Sequence, residues 1–256
     1  VDYVHTGPGT LTGRFLRSFW QPVHLAAELE ITKPKRIKVL GEHFTLYRGE
    51  DGVARLVSDT CPHRRTQLYL GWVEGECLRC FYNGWKFDGS GLCVELPGER
   101  DSFARKIRIR AYPTKEYLGL IFAYVGEGEP GELPRYPELE NESQGRLLAR
   151  AIDLPFNYFQ RIENDHDTVH IHFVHKPGME RVGMTDVPSI LAEETVFGFW
   201  HGAERPDGSV KASYCFMPNV LMTMVSLGGS AMDFTAHLAW RVPIDDVTTC
   251  SYTVNR

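Results

Sequence analysis

Four of the six cysteines, Cys61, Cys77, Cys80 and Cys93, fall inside one 33-residue stretch, and this crowding constrains the chain more than any other feature. A secreted disulfide framework serves short chains that cannot bury an adequate core. At 256 residues, with 43% apolar and 24% charged side chains, this chain needs no such staples. Clustered cysteines in a chain of this kind point instead to metal or redox chemistry. Cys77-x-x-Cys80 with Cys61 and Cys93 can be read as a four-cysteine zinc site, but that reading leaves His63 and the residues after Cys80 without a role.

Other function classes are disfavoured by composition. A formal charge of −5 gives no electrostatic footprint for nucleic acid. No apolar run approaches the roughly 18 residues of a membrane span, and the N-terminus lacks the basic start and apolar stretch of a signal peptide. A cytoplasmic protein is therefore expected. Position 1 is valine, so the natural start is expected upstream.

Turn signals divide the chain. Residues 19–125 read as short strands, among them 44–47, 54–57 and 118–125, broken by Gly-Glu-Asp-Gly at 49–52 and Asp-Gly at 88–89. That density predicts a small antiparallel barrel or sandwich. Residues 126–145 are rich in Gly, Pro and acids and read as a linker. In the remaining 146–256, a helix is predicted over 157–172. Strands follow at 197–201, 210–216, 221–226 and 234–242, with a Pro206-Asp207-Gly208 turn and a last strand from about Thr248.

Two constellations carry chemistry. The first is Cys61-Pro62-His63 followed, sixteen residues later, by Cys80-Phe81-Tyr82-Asn83-Gly84-Trp85-Lys86-Phe87-Asp88. The second is Glu163-Asn164-Asp165-His166-Asp167-Thr168-Val169-His170-Ile171-His172-Phe173-Val174-His175, four histidines and three acids within thirteen residues otherwise interleaved with apolar ones. Helix geometry alone would pair His166 with His170, one turn apart on one face.

The first constellation resembles the ligand loops of Rieske [2Fe–2S] proteins, where Cys-x-His and Cys-x-x-His give two thiolates to one iron and two imidazoles to the other. Asp59, Arg64, the Gly-Trp-x-Phe-Asp run, Gly89, Gly91 and Pro97 also fit that family. One position departs from it: Asn83 stands where the family has histidine, and a carboxamide is a weak donor to iron beside sulfide. A thiolate from Cys77 or Cys93 is a conceivable substitute. The second constellation is similar to the Asn-x-x-Asp-x-x-His-x-x-x-x-His run of Rieske non-haem iron oxygenase catalytic subunits, matched by Asn164, Asp167, His170 and His175.

The resemblance, which is greatest to the phthalate dioxygenase-like branch with its aryl-ether demethylases, implies several expectations. The fold would be an all-β Rieske domain followed by an α+β helix-grip (START-like) catalytic domain, incomplete at its C-terminus. Cys61, His63, Cys80 and Asn83 would be the cluster positions. His170 and His175 would bind a mononuclear Fe(II), with the helix bending or ending between them, and His166 and His172 would be supporting or surface residues. Asp167 would bridge electrons from a neighbouring subunit's cluster to this iron. Of the late acids Asp233, Asp245 and Asp246 none is assigned as the third iron ligand, which is expected beyond Arg256 in the full-length gene.

The implied reaction draws electrons from a separate flavin/iron–sulfur, NAD(P)H-dependent reductase. It uses O2 to hydroxylate, dihydroxylate or demethylate a small aromatic substrate, in a homotrimer that binds neither nucleic acid nor membrane. The competing expectations are a catalytically inactive homologue or fragment, and an electron-carrying Rieske protein without oxygenase activity.

Overall fold

A computed structural model of the chain describes residues 2–98, 101–181, 185–206, 208–226 and 234–256. The chain forms two units, Val1–Leu133 with Ile244–Asp246, and Pro134–Pro243 with Val247–Arg256. The division between Leu133 and Pro134 falls in the stretch rich in Gly and Pro.

The first unit begins with helix α1 (Leu11–Arg17), whose N-cap Thr10 side chain accepts from the Gly13 N–H. Its strands are β1 (Gln21–Leu25), β2 (Lys35–Val39), β3 (Glu42–Arg48), β4 (Ala54–Ser58), β5 (Trp72–Glu74), β6 (Cys77–Arg79), β7 (Lys86–Phe87) and β8 (Cys93–Glu95). A short helix α2 (Asp101–Ala104) precedes β9 (Ala111–Tyr112), β10 (Thr114–Tyr117) and β11 (Leu120–Ala123). They pair as three sheets, β1-β11-β10, β2-β3-β4-β9 and β5-β6-β7-β8. The strand expected over 118–125 is shorter, because Leu118 and Gly119 take positive φ and turn the chain between β10 and β11.

The core around the cysteine stretch is closed by Tyr47, Val57, Leu68, Leu78 and Phe87, packed with Cys61, Cys80 and Cys93. Each such large apolar side chain contributes about 1.5–3 kcal/mol by leaving water. The cysteine loops therefore hang from a rigid frame.

The second unit holds β12 (Leu148–Leu154), the helices α3 (Tyr158–His166), α4 (His170–Val174) and α5 (Lys176–Arg181), and six more strands. These are β13 (Ser189–Thr195), β14 (Gly198–Glu204), β15 (Val210–Phe216), β16 (Val220–Ser226), β17 (Phe234–Pro243) and β18 (Thr249–Asn255). All seven strands form one antiparallel sheet in the order β12-β18-β17-β16-β15-β14-β13. Each neighbour after β13 is reached by a hairpin, so alternation along the strands is preserved across the sheet. Within the expected turn at 206–208, Asp207 lies outside the described residues, while the Gly208 N–H donates to Arg205 O at 2.9 Å.

The single helix expected over 157–172 is two. Asn157 caps α3 by accepting from the Phe159 N–H, and α3 ends at Asp167, whose backbone is extended (φ −86°, ψ 92°). The Asp167 carboxylate Oδ1 accepts from the N–H groups of Val169 and His170 at 3.1 and 3.2 Å, an Asx turn ahead of α4, whose own N-cap is Val169. This local side-chain hydrogen bonding has overridden the helical periodicity between α3 and α4.

Candidate active site

The first site is built from two loops with the same backbone. In one, the Cys61 N–H donates to Thr66 O at 2.8 Å and the Arg65 N–H donates back to Cys61 O at 2.9 Å. In the other, the Cys80 N–H donates to Trp85 O at 2.8 Å and the Gly84 N–H to Cys80 O at 3.0 Å. The residue four places after each cysteine has positive φ, 55° at Arg65 and 71° at Gly84. Each is a tight knuckle that turns its backbone N–H groups toward a sulfur: Cys61 Sγ accepts from the His63 N–H, and Cys80 Sγ from those of Tyr82 and Asn83. Oriented N–H groups around a sulfur stabilise a thiolate, the form that binds metal.

The two sulfurs meet. The hydrogen bond between the Cys61 and Cys80 sulfurs lowers one thiol, Cys80, and raises the other, Cys61. Both side chains are buried, at 1% and 2% exposure, so the two sulfurs meet away from solvent. His63 stacks on Trp85 with ring centroids 4.7 Å apart and planes 18° apart. Asn83, at the tip of the other knuckle, is exposed. Arg79 fixes that knuckle from behind, donating to Gly84 O at 2.7 Å while pairing with Glu74 at 2.8 Å and Glu95 at 2.7 Å.

Of the other two cysteines, Cys93 shares the core cluster of this pair and Cys77 does not. Cys77, three residues before Cys80, is only half-buried, and its electrostatic neighbours are Lys86, Glu76, Asp88 and Arg55. Strand alternation explains this, since an odd spacing sends the two side chains to opposite faces. Cys93 is buried in the core and donates to Glu95 O at 3.4 Å, and burial pushes its thiol up. The four-cysteine zinc arrangement is not assembled.

The second site lies in the second unit. The break at Asp167 and a second one at His175, the C-cap of α4, bring His170 and His175 together with ring centroids 5.7 Å apart. Five residues apart would be out of phase on one straight helix. His170 Nδ1 hydrogen-bonds the Asp167 carbonyl oxygen, which leaves Nε2 as the nitrogen that could meet a metal, 3.4 Å from Asn164 Nδ2. The Asp167 Oδ2 lies 3.8 Å from His170 Nδ1, and this side chain is 55% exposed.

Of the late acids, Asp245 pairs with Lys38 at 2.7 Å and Asp246 accepts from the Thr6 N–H at 2.8 Å, both within the first unit. Asp233 lies outside the described residues. Among the described residues no three His, Cys, Asp or Glu side chains converge on one point. Ligands of a two-iron rhomb are split between two metals, so Cys61, His63 and Cys80 need not share one.

His166 does not pair with His170. Its Nδ1 lies 2.9 Å from Nε2 of His201 on β14, and its ring packs edge-on against Phe199 at 4.9 Å. Burial, reinforced by His201, lowers the His166 pKa to about 4. The preceding Asp165 takes a two-pronged bond from buried Arg241 on β17, at 2.5 and 3.0 Å. These contacts clamp the end of α3 to the sheet, and adjacent positions in sequence gave no sign of their partners.

Residues 19–113 match the Rieske [2Fe-2S] domain family. The chain is 32% identical, over 96% of its own length and 59% of the relative's, to the 5,5'-dehydrodivanillate O-demethylase oxygenase subunit of Sphingobium sp.. It is 31% identical to the 3-chlorobenzoate-3,4-dioxygenase oxygenase subunit of Comamonas testosteroni, over 98% of this chain and 61% of the relative. It thus spans about three fifths of the length of these curated relatives. The structure of dicamba monooxygenase bound to dicamba superposes with a TM-score of 0.77 at 21% identity, over 94% of this chain and 78% of that one, a likeness of fold.

The cofactors of such oxygenases are a [2Fe–2S] cluster and Fe(II). The buried dithiol, its N–H cradle and His63 suit the cluster, whereas Asn83 offers no imidazole to the second iron. His170 and His175 suit ferrous iron as two ligands of a set that needs a third. Residues 19–113 therefore form a Rieske [2Fe-2S] domain, and over nearly its whole length the chain is similar to oxygenase subunits.

Proposed function

We propose that this chain is the oxygenase component of a Rieske-type multicomponent system acting on a small aromatic substrate, with O2 and with electrons from a separate NAD(P)H-dependent reductase. The observation that carries the reading is the coexistence in one chain of the twin-knuckle dithiol and the His170–His175 pair. An electron carrier needs only the first. Bound iron supplies O2 activation at the second site.

The residues of this chain set the geometry for that chemistry. Cys61 and Cys80 would hold one iron of the cluster, with His63 and position 83 facing the other. Asp167 accepts from the His170 N–H ahead of α4 and so orients His170. Its exposed carboxylate is the group proposed to accept a hydrogen bond from position 83 of a neighbouring subunit, as in a homotrimer, and to carry the electron path. An amide at 83 can make that hydrogen bond but does not tie it to a metal.

Asn83 favours one second reading, an inactive homologue retained for assembly. Iron and sulfide per chain, with visible absorption, after anaerobic reconstitution separate the readings. The oxygenase is expected to take up mononuclear iron together with a partly filled cluster. A cluster without mononuclear iron would indicate an electron carrier, and neither would indicate the inactive homologue.

A further inference from the structure

The two knuckles differ in ligand chemistry at one position, and that position is open to solvent. Asn83 is exposed, and its side chain makes no hydrogen bond among the described residues. Its backbone N–H is turned to Cys80 Sγ, so the loop fixes position 83 while leaving the carboxamide unengaged. The other imidazole position is settled. The His63 ring stacks on Trp85 at 4.7 Å and lies 6.5 Å from the Tyr82 ring, against residues on both sides of Asn83 in sequence.

No cysteine of the chain stands in for the second histidine. Cys93 is buried in the core and bonded to Glu95 O. Cys77 points to the face of β6 away from Cys80. Cys215 and Cys250 are buried in the second unit. Tyr82 is 57% exposed with its ring edge-on to Phe81, and a phenol is a hard oxygen donor that suits iron beside sulfide less well than a thiolate.

The surroundings favour an anion from solution. Arg64 and Arg65 follow His63 directly on the first knuckle, both are exposed, and neither has an ion-pair partner among the described residues. The cations behind the second knuckle are different, because Arg79 and Lys86 are paired with Glu74 and Glu95. A thiolate in place of a neutral imidazole adds one negative charge to a [2Fe–2S] centre. Two unpaired guanidinium groups on the same tip offset that charge, and they also attract carboxylates.

We propose that the second iron of this Rieske domain is completed beside Asn83 by an exogenous small thiol bearing carboxylates, a ligand of the glutathione class, in the place where the family has histidine. The inference rests on the Rieske domain and is independent of the oxygenase reading. An iron–sulfur bond forms, the thiol proton goes to solvent, and no atom changes oxidation state. The Asn83 carboxamide, fixed beside that sulfur and otherwise unbonded, donates a hydrogen bond to it.

The test is anaerobic reconstitution of the protein as it stands with iron and sulfide, under a phosphine reductant so that no thiol is present, followed by one added thiol at a time. Iron, sulfide and retained thiol per chain are measured after desalting. Without thiol, little cluster is expected. Glutathione is expected to raise iron and sulfide several-fold, toward about two of each per chain, with roughly one glutathione retained. S-Methylglutathione, which lacks the free thiol, is expected to do neither. 2-Mercaptoethanol, which lacks carboxylates, is expected to need about three- to fivefold more for half-filling, and Arg64→Gln to remove that difference. Asn83→His is expected to fill without thiol and to retain none. A full cluster without thiol, no filling by any thiol, equal filling by S-methylglutathione, or equal glutathione retention in folded Asn83→His would each overturn the proposal and leave the Rieske assignment in place. Should that variant fold poorly, the contrast between glutathione and S-methylglutathione on the native protein decides alone. Equal half-filling concentrations of glutathione and 2-mercaptoethanol would overturn the role of the arginines.

Discussion

The Cys61 and Cys80 knuckles are two copies of one backbone device filled with different chemistry. Each ties its cysteine N–H to the carbonyl five residues on, accepts an N–H from the residue four on, and passes through positive φ at that residue. One carries His63, stacked on Trp85, and the other carries exposed Asn83. Backbone cradle and ligand set are therefore separable. The cradle follows from local hydrogen bonds and a permissive turn residue, and it persists when a ligand side chain is exchanged. What Asn83 removes is a donor to metal, and the shape of the loop remains.

The largest expected effect comes from making the loops chemically alike. Asn83→His should raise iron and sulfide per chain markedly toward a full two-iron complement after anaerobic reconstitution, with the low-g paramagnetic resonance signal of mixed Cys/His ligation. The native protein should show little of it. Equal full clusters in both would mean that Asn83 or another group already serves as the fourth ligand.

The turn residues give smaller and opposed effects. Gly84 has φ 71°, and a Cβ there would sit 3.2 Å from Pro97 Cγ. Gly84→Ala should cost about 1–2 kcal/mol in urea unfolding and loosen the second knuckle. A stability equal to the native protein's would show that the loop tolerates another turn. Arg65 holds the equivalent place with φ 55°, without glycine's freedom. Arg65→Gly relieves that strain while adding unfolded-state entropy, so the net change should stay within about 0.5 kcal/mol. A large loss would mean that the Arg65 side chain, and not its backbone, holds the first loop.

Resemblance to the Rieske oxygenases made Cys61, His63, Cys80, Asn83, His170 and His175 readable as a set, whereas helix geometry alone pairs His166 with His170. It did not make the interruption of the helix readable. Residues 157–172 contain no glycine or proline, and the break comes at Asp167, extended at the end of α3 with its carboxylate bonded to the Val169 and His170 N–H groups, a local hydrogen-bond pattern that periodicity does not weigh. His166 looked like a one-turn partner for His170, yet it pairs with His201, 35 residues away and on a strand.

The sequence by itself determined the domain chemistry: two cysteine loops of family spacing, one departure at Asn83, and two histidines five apart. Only the tertiary structure decided which side chains face one another. The twin knuckles depend on positive φ at Arg65, which no residue preference announces. The row of His201, Ser213, Thr223, His237 and Asn255, each directly opposite the next from β14 to β18, depends on the register of five strands, and a slip of one residue in any of them would turn its member to the other face. Register is fixed by long-range pairing and burial, which a linear pattern of single residues does not contain.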